Sequence, residues 1–347
     1  MVKVTIGQDG RIKSFVDNRE DRELVPEGAQ GNVFELYDDV GVYWDAWDIE
    51  IYNLEKYQSL PGTDVTVVEN GPLVASLIVR VPIGNTSTLV QTITLTAISP
   101  RLEFDSHIDW HENRKCLKVS FTWDISNDMA TYETQFGVVQ RPTHRNTSWD
   151  MAKFEVCGHK FADLSEYGYG VALLNDCKYG YSTIENTMTL TLLRSPKAPD
   201  ENCDMGNHTF RYAVFPHKGT FAESCVVKEA YNFNTPLLQL PANAERFSEK
   251  ADKAGKTHPY FSLSNAPNVV LDTVKAAEDG SESFIVRMYE AYGGHAKALL
   301  TTALPAMKAE RVNILENHVG ELEWLPYSKS VAVKFKPFEI VTVKFSL

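Results

Sequence analysis

The sequence lacks most of the features that would assign a protein to a function class at once. No window of its 347 residues approaches the ~20 consecutive apolar residues of a membrane-spanning helix. The N-terminal stretch MVKVTIGQDGRIKSF lacks the apolar core of a signal peptide. Lys and Arg number 34 against 46 Asp and Glu, and the resulting net charge of −12 disfavours non-specific nucleic-acid binding. We therefore expect a soluble acidic protein that binds neither membranes nor nucleic acid.

Cysteine is scarce and is not arranged for a metal knuckle or a disulfide framework. The count is odd and no CxxC pair occurs, which indicates free thiols in a reducing compartment. The five positions are Cys116, Cys157, Cys177, Cys203 and Cys225.

Motifs that carry catalytic chemistry are equally rare. The sequence contains no HExxH, no GxSxG in a strand–helix context and no phosphate-binding glycine loop. His107, Asp109 and His111 alternate in SHIDWHE, and on a strand they would share one face at roughly 7 Å spacing. That spacing is too wide to chelate one zinc ion at ~2 Å. We therefore interpret the segment as a solvated sheet face, with Ile108 and Trp110 pointing inward.

What the sequence does have is period-two alternation of apolar and polar residues. It appears in TSTLVQTITLTAI, CLKVSFTWDI, ENTMTLTLLRS and SVAVKFKPFEIVTVKFSL, which are rich in Val, Thr, Tyr and Phe. Only short pieces such as NAERFSEKADKAGK could form a helix. The pattern predicts an all-β protein of large antiparallel sandwiches. The polar run near residues 240–260 predicts a boundary between a larger domain, residues 1–245, and a linker with a smaller sandwich, residues 246–347.

An aromatic, acidic segment, GVYWDAWDIEIYN, spans residues 41–53. Trp44 and Trp47 lie three residues apart, so on an ideal strand they would face opposite sides. This spacing favours a segment pinned against another domain, with Trp44, Asp45, Trp47 and Asp48 as domain-interface residues. The alternative is direct contact with a sugar, in which Asp45 or Asp48 accepts hydrogen bonds from hydroxyl groups.

Two loop-like stretches collect polar groups that suit binding, because loops on rigid β scaffolds often carry such groups. The alternative for both is a solvated connection with ordinary turn chemistry. EYGYGVALLNDCKYGY, which follows the first loop, predicts a buried hairpin with NDCKYG as its turn. The candidate residues are Arg141, His144, Arg145 and Asn146 in the first loop, and Asp204 and His208 in the second.

Several of these segments together resemble the C-terminal β-region of the family 38 α-mannosidases, in their cytosolic and fungal vacuolar branch. They are NVFELYDDVGVYWDAWDIEIY, ETQFGVVQRPTHRNTSWDMAKFEVCGHKF, DMGNHTFRYAVFPH and FIVRMYEAYGGHAKALL. The resemblance implies a β-supersandwich of the galactose mutarotase type followed by a smaller C-terminal β-sandwich. In that family the zinc ligands and the Asp nucleophile belong to a separate α/β barrel, which a helical bundle follows.

The barrel's zinc segments are absent from this sequence, so the resemblance implies that the chain contains no catalytic residue, metal ligand or cofactor. It implies partners instead: the barrel and helical domains of the same parent enzyme, α-mannoside oligosaccharides, and a homo-oligomer of the full-length protein. The six loop residues then become candidates for the rim of the substrate site. The implied location is cytoplasmic, or vacuolar in a fungus. A free-standing carbohydrate-binding sandwich and a mutarotase-like epimerase, which would use a His and a Glu, remain open alternatives.

Overall fold

A computed structural model describes residues 1–239 and 259–347 and confirms the all-β prediction. The chain divides into two compact units. The first comprises Met1–Thr134 and Val139–Pro236, and the second comprises Gln135–Val138 and Leu237–Leu347. The predicted boundary at residues 245 and 246, and the helix-compatible run NAERFSEKADKAGK, lie outside the described residues.

The first unit contains two nine-stranded sheets, which we call sheet A and sheet B. The neighbour order in sheet A is β1 (Val2–Ile6), β2 (Ile12–Asp17), β4 (Gly31–Asp38), β10 (Lys115–Thr122), β17 (Thr187–Arg194), β16 (Gly180–Ile184) and β13 (Val156–Cys157), while β3 (Arg22–Glu23) pairs with β2 and β5 (Tyr57–Leu60) with β4. The order in sheet B is β12 (Gly137–Pro142), β11 (Met129–Thr134), β14 (Phe161–Glu166), β15 (Tyr169–Asn175), β18 (Gly206–Lys218), β9 (Leu102–Trp110), β8 (Ser87–Thr96), β7 (Val74–Ile83) and β6 (Asp64–Asn70).

The inward faces of the two sheets share one hydrophobic core, as alternating strands require. Phe121 of sheet A lies 5.9 Å from Phe104 of sheet B, measured between ring centroids. Inside this core, the Tyr212 hydroxyl donates to Asn32 Oδ1 at 2.7 Å and accepts from Gln91 Nε2 at 2.7 Å. Since Asn32 follows the start of β4 and Tyr212 lies on β18, this buried polar group links the two sheets.

Two connections differ from what the sequence pattern suggested. The buried hairpin is formed by β14 and β15 around Tyr167 and Gly168. Since β15 belongs to sheet B and β16 to sheet A, the NDCKYG stretch crosses between sheets and is not a hairpin turn, so that prediction was wrong.

The described helical elements are short: α1 (Ser148–Met151), α2 (Val226–Asn234), and the 3-10 turns Ile51–Glu55 and Phe221–Glu223.

The second unit is a smaller sandwich of two antiparallel sheets around its own core, which contains Val286, Leu300, Val333 and Val343. One sheet has the order β19 (Phe261–Ser264), β22 (Ala296–Thr302), β26 (Ser330–Phe335) and β25 (Trp324–Leu325). The other has the order β20 (Val269–Ala276), β21 (Ser283–Glu290), β27 (Ile340–Ser346), β23 (Lys308–Val312) and β24 (His318–Glu321). None of the described helices has the length and apolar character needed to cross a membrane.

Candidate functional site

The most prominent surface feature of the first unit is an exposed apolar segment between β4 and β5. We call its side chains the aromatic platform. Each has 49% or more of its surface accessible, and the two indoles are 67% and 69% exposed. The members are Val40, Val42, Tyr43, Trp44, Trp47 and Tyr52.

The platform is built on a turn rather than on the strand that the sequence suggested. The backbone N–H groups of Trp47 and Asp48 both donate to the Trp44 carbonyl, at 2.8 and 3.0 Å. Trp44 itself has a φ of 53°, in the left-handed region that residues with a Cβ rarely adopt. As a result the two indoles do not face opposite sides, and their rings meet edge to face with centroids 5.9 Å apart.

One arginine from the end of β17 holds this turn in place. The Nε of Arg194 pairs with the buried carboxylate of Asp39 at 2.7 Å. Its terminal nitrogens donate to the carbonyls of Ala46 at 3.3 Å, Asp45 at 3.2 Å and Asp48 at 2.7 Å. A guanidinium carries five N–H donors in a fixed planar fork and can satisfy all four acceptors at once, whereas an ammonium group has only three donors, all at one point. We refer to Asp39 and Arg194 as the clamp.

The carboxylate of Asp45 connects the platform to the second candidate loop, residues 195–205. It accepts from the backbone N–H of Lys197 at 2.6 Å and lies 3.7 Å from a terminal nitrogen of Arg114. Asp48, in contrast, is exposed. The four predicted domain-interface residues therefore play different parts: two exposed rings, one carboxylate turned toward the loop, and one exposed carboxylate.

The candidate residues of the second loop are held by local contacts. Asp204 adopts a left-handed φ of 57°. The Nε2 of His208, on β18, lies 2.8 Å from the Asp204 carbonyl and donates to it. Burial and the neighbouring Asp204 carboxylate raise the pKa of the Cys203 thiol. This arrangement closes a turn and leaves the Asp204 side chain exposed.

The first candidate loop, residues 143–155, shows a similar division between fixed and free groups. Arg141, which the sequence placed in this loop, lies instead on strand β12, just before the loop begins. The guanidinium of Arg141 donates to the Cys157 carbonyl at 2.8 Å and lies 4.9 Å from the centre of the Tyr132 ring. The backbone N–H of Asn146 lies 3.4 Å from Nδ1 of His144. Arg145 is exposed and forms no hydrogen bond or ion pair within the described residues.

Thr147 in the same loop caps helix α1, and Asp150, in the first turn of that helix, completes the cap. The carboxylate of Asp150 accepts from the Thr147 hydroxyl at 2.7 Å and from the Thr147 backbone N–H at 3.2 Å, while the Asp150 backbone N–H donates to that hydroxyl. The hydrogen bonds from Thr147 lower the pKa of Asp150. The resulting capping box explains why the NTSWD stretch turns into a helix here.

The two loops leave sheet B at opposite ends. Strand β12 and strand β18 are separated by β11, β14 and β15, with neighbouring strands antiparallel, so they run in the same direction. The first loop follows the end of β12, whereas the second precedes the start of β18. The six candidate rim residues therefore do not form one cluster at either end of sheet B.

The first loop returns, however, to the outer face of sheet A. Glu155 forms an ion pair there with Lys118 of β10, whose pKa is lowered by burial. The Lys118 ammonium lies 5.4 Å from the Tyr37 ring, which in turn contacts Tyr57 at 5.1 Å. This buried contact was not anticipated from the sequence, where Lys118 is one polar residue in an alternating strand.

SHIDWHE behaves as predicted. Ile108 and Trp110 are buried, while His107, Asp109 and His111 are exposed. His111 pairs with Asp109 at 2.7 Å, and His107 lies 3.1 Å from the Thr209 hydroxyl.

The residues that the structure describes do not fit the two-His, two-Asp zinc set that the resemblance implies for the barrel. Among them, one group brings possible ligand atoms within 4.8 Å of one another: Glu310, His318 and Glu321. It has a single histidine, and the Lys308 ammonium already pairs with both carboxylates, at 3.3 and 2.9 Å. We therefore assign no metal chemistry to it.

A polar cavity of about 600 Å³ lies where the first loop leaves sheet B. Four carboxylates and one arginine are among the residues that line it. The mutarotase-like alternative needs a His and a Glu that converge in one concave face, and no histidine lines this cavity. The lining residues are Arg22, Asp124, Ile125, Ser126, Asn127, Asp128, Thr143, Glu166, Glu185 and Asn186.

Comparison with known proteins gives matches along nearly the whole chain. Residues 1–202 match the glycosyl hydrolases family 38 C-terminal domain, and residues 268–343 match the glycosyl hydrolases family 38 C-terminal beta sandwich domain. Alpha-mannosidase G of Dictyostelium discoideum is 42% identical over 99% of this chain and 32% of its own length. Alpha-mannosidase 2C1 of Homo sapiens is 41% identical over 99% of this chain and 33% of its own length.

A more distant relative and a solved structure agree with these matches. The alpha-mannosidase of Saccharomyces cerevisiae is 38% identical over 90% of this chain and 31% of its own length. A crystal structure of an alpha-mannosidase from Enterococcus faecalis V583 covers all of this chain and 41% of its own, with a TM-score of 0.76 and 18% identity, which shows a shared fold. The chain thus spans about a third of the length of the curated relatives it matches.

Proposed function

Because the chain belongs to glycosyl hydrolase family 38 and comprises its C-terminal domains, we propose that it serves as the non-catalytic C-terminal region of an α-mannosidase. The observation that carries this proposal is the match of nearly the whole chain, at about 40% identity, to one third of each of several α-mannosidases. In this proposal the zinc ion, its ligands and the nucleophile belong to the remaining two thirds of the enzyme. The chain packs against that part and completes the edge of the substrate site.

The substrates in this proposal are oligosaccharides that carry α-mannosides. Their mannose units are removed by hydrolysis with retention of configuration, in the cytoplasm or, in a fungus, in the vacuole. The full-length enzyme is a homo-oligomer. Candidates for contacts with substrate are the exposed residues of the two loops. Since the loops leave sheet B at opposite ends, we assign Arg145 and Asn146 to one part of the edge of the substrate site and Asp204 to a separate part. Behind them, His144 contacts the backbone of Asn146, His208 that of Asp204, and Arg141 that of Cys157.

The test is an activity assay on this chain and on a full-length α-mannosidase that carries it. We expect the full-length enzyme to release p-nitrophenol from p-nitrophenyl α-mannoside in a zinc-dependent reaction. We expect the chain alone to release none above the buffer blank, with or without added zinc. Release by the chain alone that is abolished by a chelator would contradict the proposal.

A second candidate function is binding of carbohydrate by the platform itself. The observation that favours it is the exposure of Trp44 and Trp47 beside the exposed carboxylate of Asp48, because indole rings can stack on sugar faces while carboxylates accept from hydroxyl groups. Calorimetric titration of the chain with α-mannobiose tests this function. Loss of the heat signal in a Trp44→Ala, Trp47→Ala double variant would assign the binding to the platform.

A further inference from the structure

We propose that the clamp residue Arg194 is a positioning residue, which presents the aromatic platform as a preformed docking surface for the part of the α-mannosidase polypeptide that this chain lacks. This inference rests on the proposed function, since it identifies the surface through which the C-terminal region joins the catalytic part. Neither residue of the clamp is among the candidate site residues that the sequence indicated. Their role follows from the four contacts that Arg194 makes.

The first argument is that the chain holds these rings in place without burying them. Trp44 adopts a left-handed backbone conformation that disfavours any side chain with a Cβ, and such conformations are kept where the surrounding structure imposes them. Asp39 is buried, and its charge is matched by Arg194. The rings that result from this arrangement stay two-thirds exposed. A rigid turn that gains no core packing for its largest side chains is explained if those side chains meet another surface.

The second argument concerns the extent of the exposed apolar surface. Seven of the 28 large hydrophobic side chains that are exposed among the described residues lie within residues 40–57. Clustered exposed apolar residues mark interaction sites, whereas scattered ones need no explanation. Aromatic anchors that are held rigid before binding also lose little conformational freedom on association.

The third argument identifies the occupant as protein rather than sugar. Val40 and Val42 extend the platform with aliphatic side chains, which have no flat face for a sugar ring. The indoles of Trp44 and Trp47 are inclined by 66°, so the two rings cannot form one plane beneath a saccharide. Two thirds of the length of the matched relatives lies outside this chain, and that polypeptide is covalently joined to the matching region in those proteins. A tethered partner needs only modest intrinsic affinity to remain docked.

Hydroxyl-radical footprinting, read by mass spectrometry, tests this directly. Oxidation of Trp44 and Trp47 is measured in this chain and in a full-length α-mannosidase that carries it. We expect at least about tenfold slower oxidation of both indoles in the full-length enzyme, because docked aromatic anchors are desolvated. Tyr167 and Tyr327, which are fully exposed, serve as internal references and should not change.

Variants then separate positioning from general stability. In Arg194→Met the circular-dichroism exciton signal of the Trp44–Trp47 pair should disappear from the folded chain, and the protection in the full-length enzyme should fall to about twofold or less. Arg194→Lys should restore only part of the exciton signal and only part of the protection, because one ammonium cannot satisfy four acceptors. Arg80→Met is the matched control, since Arg80 is an exposed arginine 4.0 Å from Asp64. If Arg194→Met fails to fold, the Trp44→Ala, Trp47→Ala double variant replaces it and should lower kcat/KM in the full-length enzyme.

Each remaining outcome decides the matter. Equal oxidation of the indoles in both proteins would overturn the inference while leaving an active full-length enzyme, and hence the proposed function, intact. If α-mannobiose protects the indoles of the isolated chain from oxidation, the platform is a sugar site and not a protein docking surface. If protection of the isolated chain increases with its own concentration, the platform is a self-association surface. Absence of α-mannosidase activity in the full-length protein would instead remove the proposed function, whatever the footprint shows.

Discussion

Arg141 and Arg145 lie four residues apart and offer a direct separation of scaffold and binding roles. The guanidinium of Arg141 donates to the Cys157 carbonyl at 2.8 Å and lies 4.9 Å from the Tyr132 ring centre. Arg145 is exposed and has no such contacts within the described residues. Replacing each by alanine therefore removes the same charge from two different environments.

The expected magnitudes follow from these contacts. A hydrogen bond involving a charged group contributes about 1.5–3 kcal/mol, and a cation–π contact about 0.5–1 kcal/mol at an exposed site. Because Arg141 is only half-buried, we take the lower ends and expect a loss of about 2 kcal/mol in the free energy of unfolding. For a unit of this size that corresponds to a decrease of roughly 4–8 °C in Tm. Arg145→Ala should change the free energy of unfolding by less than about 0.5 kcal/mol.

The assays are thermal unfolding of the chain and steady-state kinetics of the full-length enzyme. We expect Arg141→Ala to lower Tm while its folded fraction keeps most of its kcat/KM. Arg145→Ala should keep its Tm and raise KM if it binds substrate equally in the ground and transition states. An Arg141→Ala variant that melts within 1 °C of the wild type would refute the structural reasoning. A normal KM and kcat in Arg145→Ala would remove it from the substrate rim.

Three further predictions concern the fold. Tyr212→Phe leaves Asn32 Oδ1 without the hydroxyl donor and should cost about 1–3 kcal/mol in urea unfolding, whereas Tyr167→Phe, at a fully exposed position, should be neutral. Burial raises the pKa of Glu290, but hydrogen bonds from the backbone N–H groups of Phe338, Tyr292 and Gly293 outweigh this and lower the pKa below its ordinary 4.5. The ionised Glu290 carboxylate therefore stabilises the second unit above pH 4.5, and this contribution to the free energy of unfolding is lost as the pH falls. In Glu290→Gln the free energy of unfolding should decline less steeply between about pH 5 and 3 than in the wild type. An equally steep decline in the variant would contradict this. Limited proteolysis should cut first within residues 240–260 and leave two compact pieces, whereas early cuts within TSTLVQTITLTAI would show that the cores were misassigned.

The sequence was a good guide where a local pattern decides the structure. In SHIDWHE, alternation alone places Ile108 and Trp110 in the core and the charged residues outside, because side chains on a strand alternate between its two faces. The same reasoning gave the all-β class. Alternation could not show whether β15 and β16 belong to one sheet, because a strand followed by turn residues has the same sequence pattern in a hairpin and in a crossover between sheets.

Helix α2 shows a different limit of local reasoning. Its sequence, VVKEAYNFN, contains β-branched and aromatic residues that favour strands. Val226, Val227, Ala230 and Phe233 are nevertheless buried together, which is the spacing of one helix face. Tertiary packing outweighed intrinsic propensity in this short element.

The platform was beyond sequence reasoning for a physical reason. The aromatic and acidic residues of the segment were visible, and their importance was inferred from composition. Their arrangement depends on Arg194, which is 148 residues away from Ala46 along the chain. No local pattern marks that arginine, so the turn and the left-handed Trp44 could not be predicted.

The strand order of sheet A also has a consequence for synthesis on the ribosome. Strand β4 is synthesised well before β10, the strand it pairs with, because Ser120 follows its partner Val33 by 87 residues. At translation rates of about 5–20 residues per second, this amounts to roughly 4–17 s during which β4 has emerged without that partner. β10 in turn waits for β17, whose last residue is Arg194. A nascent chain interrupted anywhere before that point presents open sheet edges rather than a smaller folded domain.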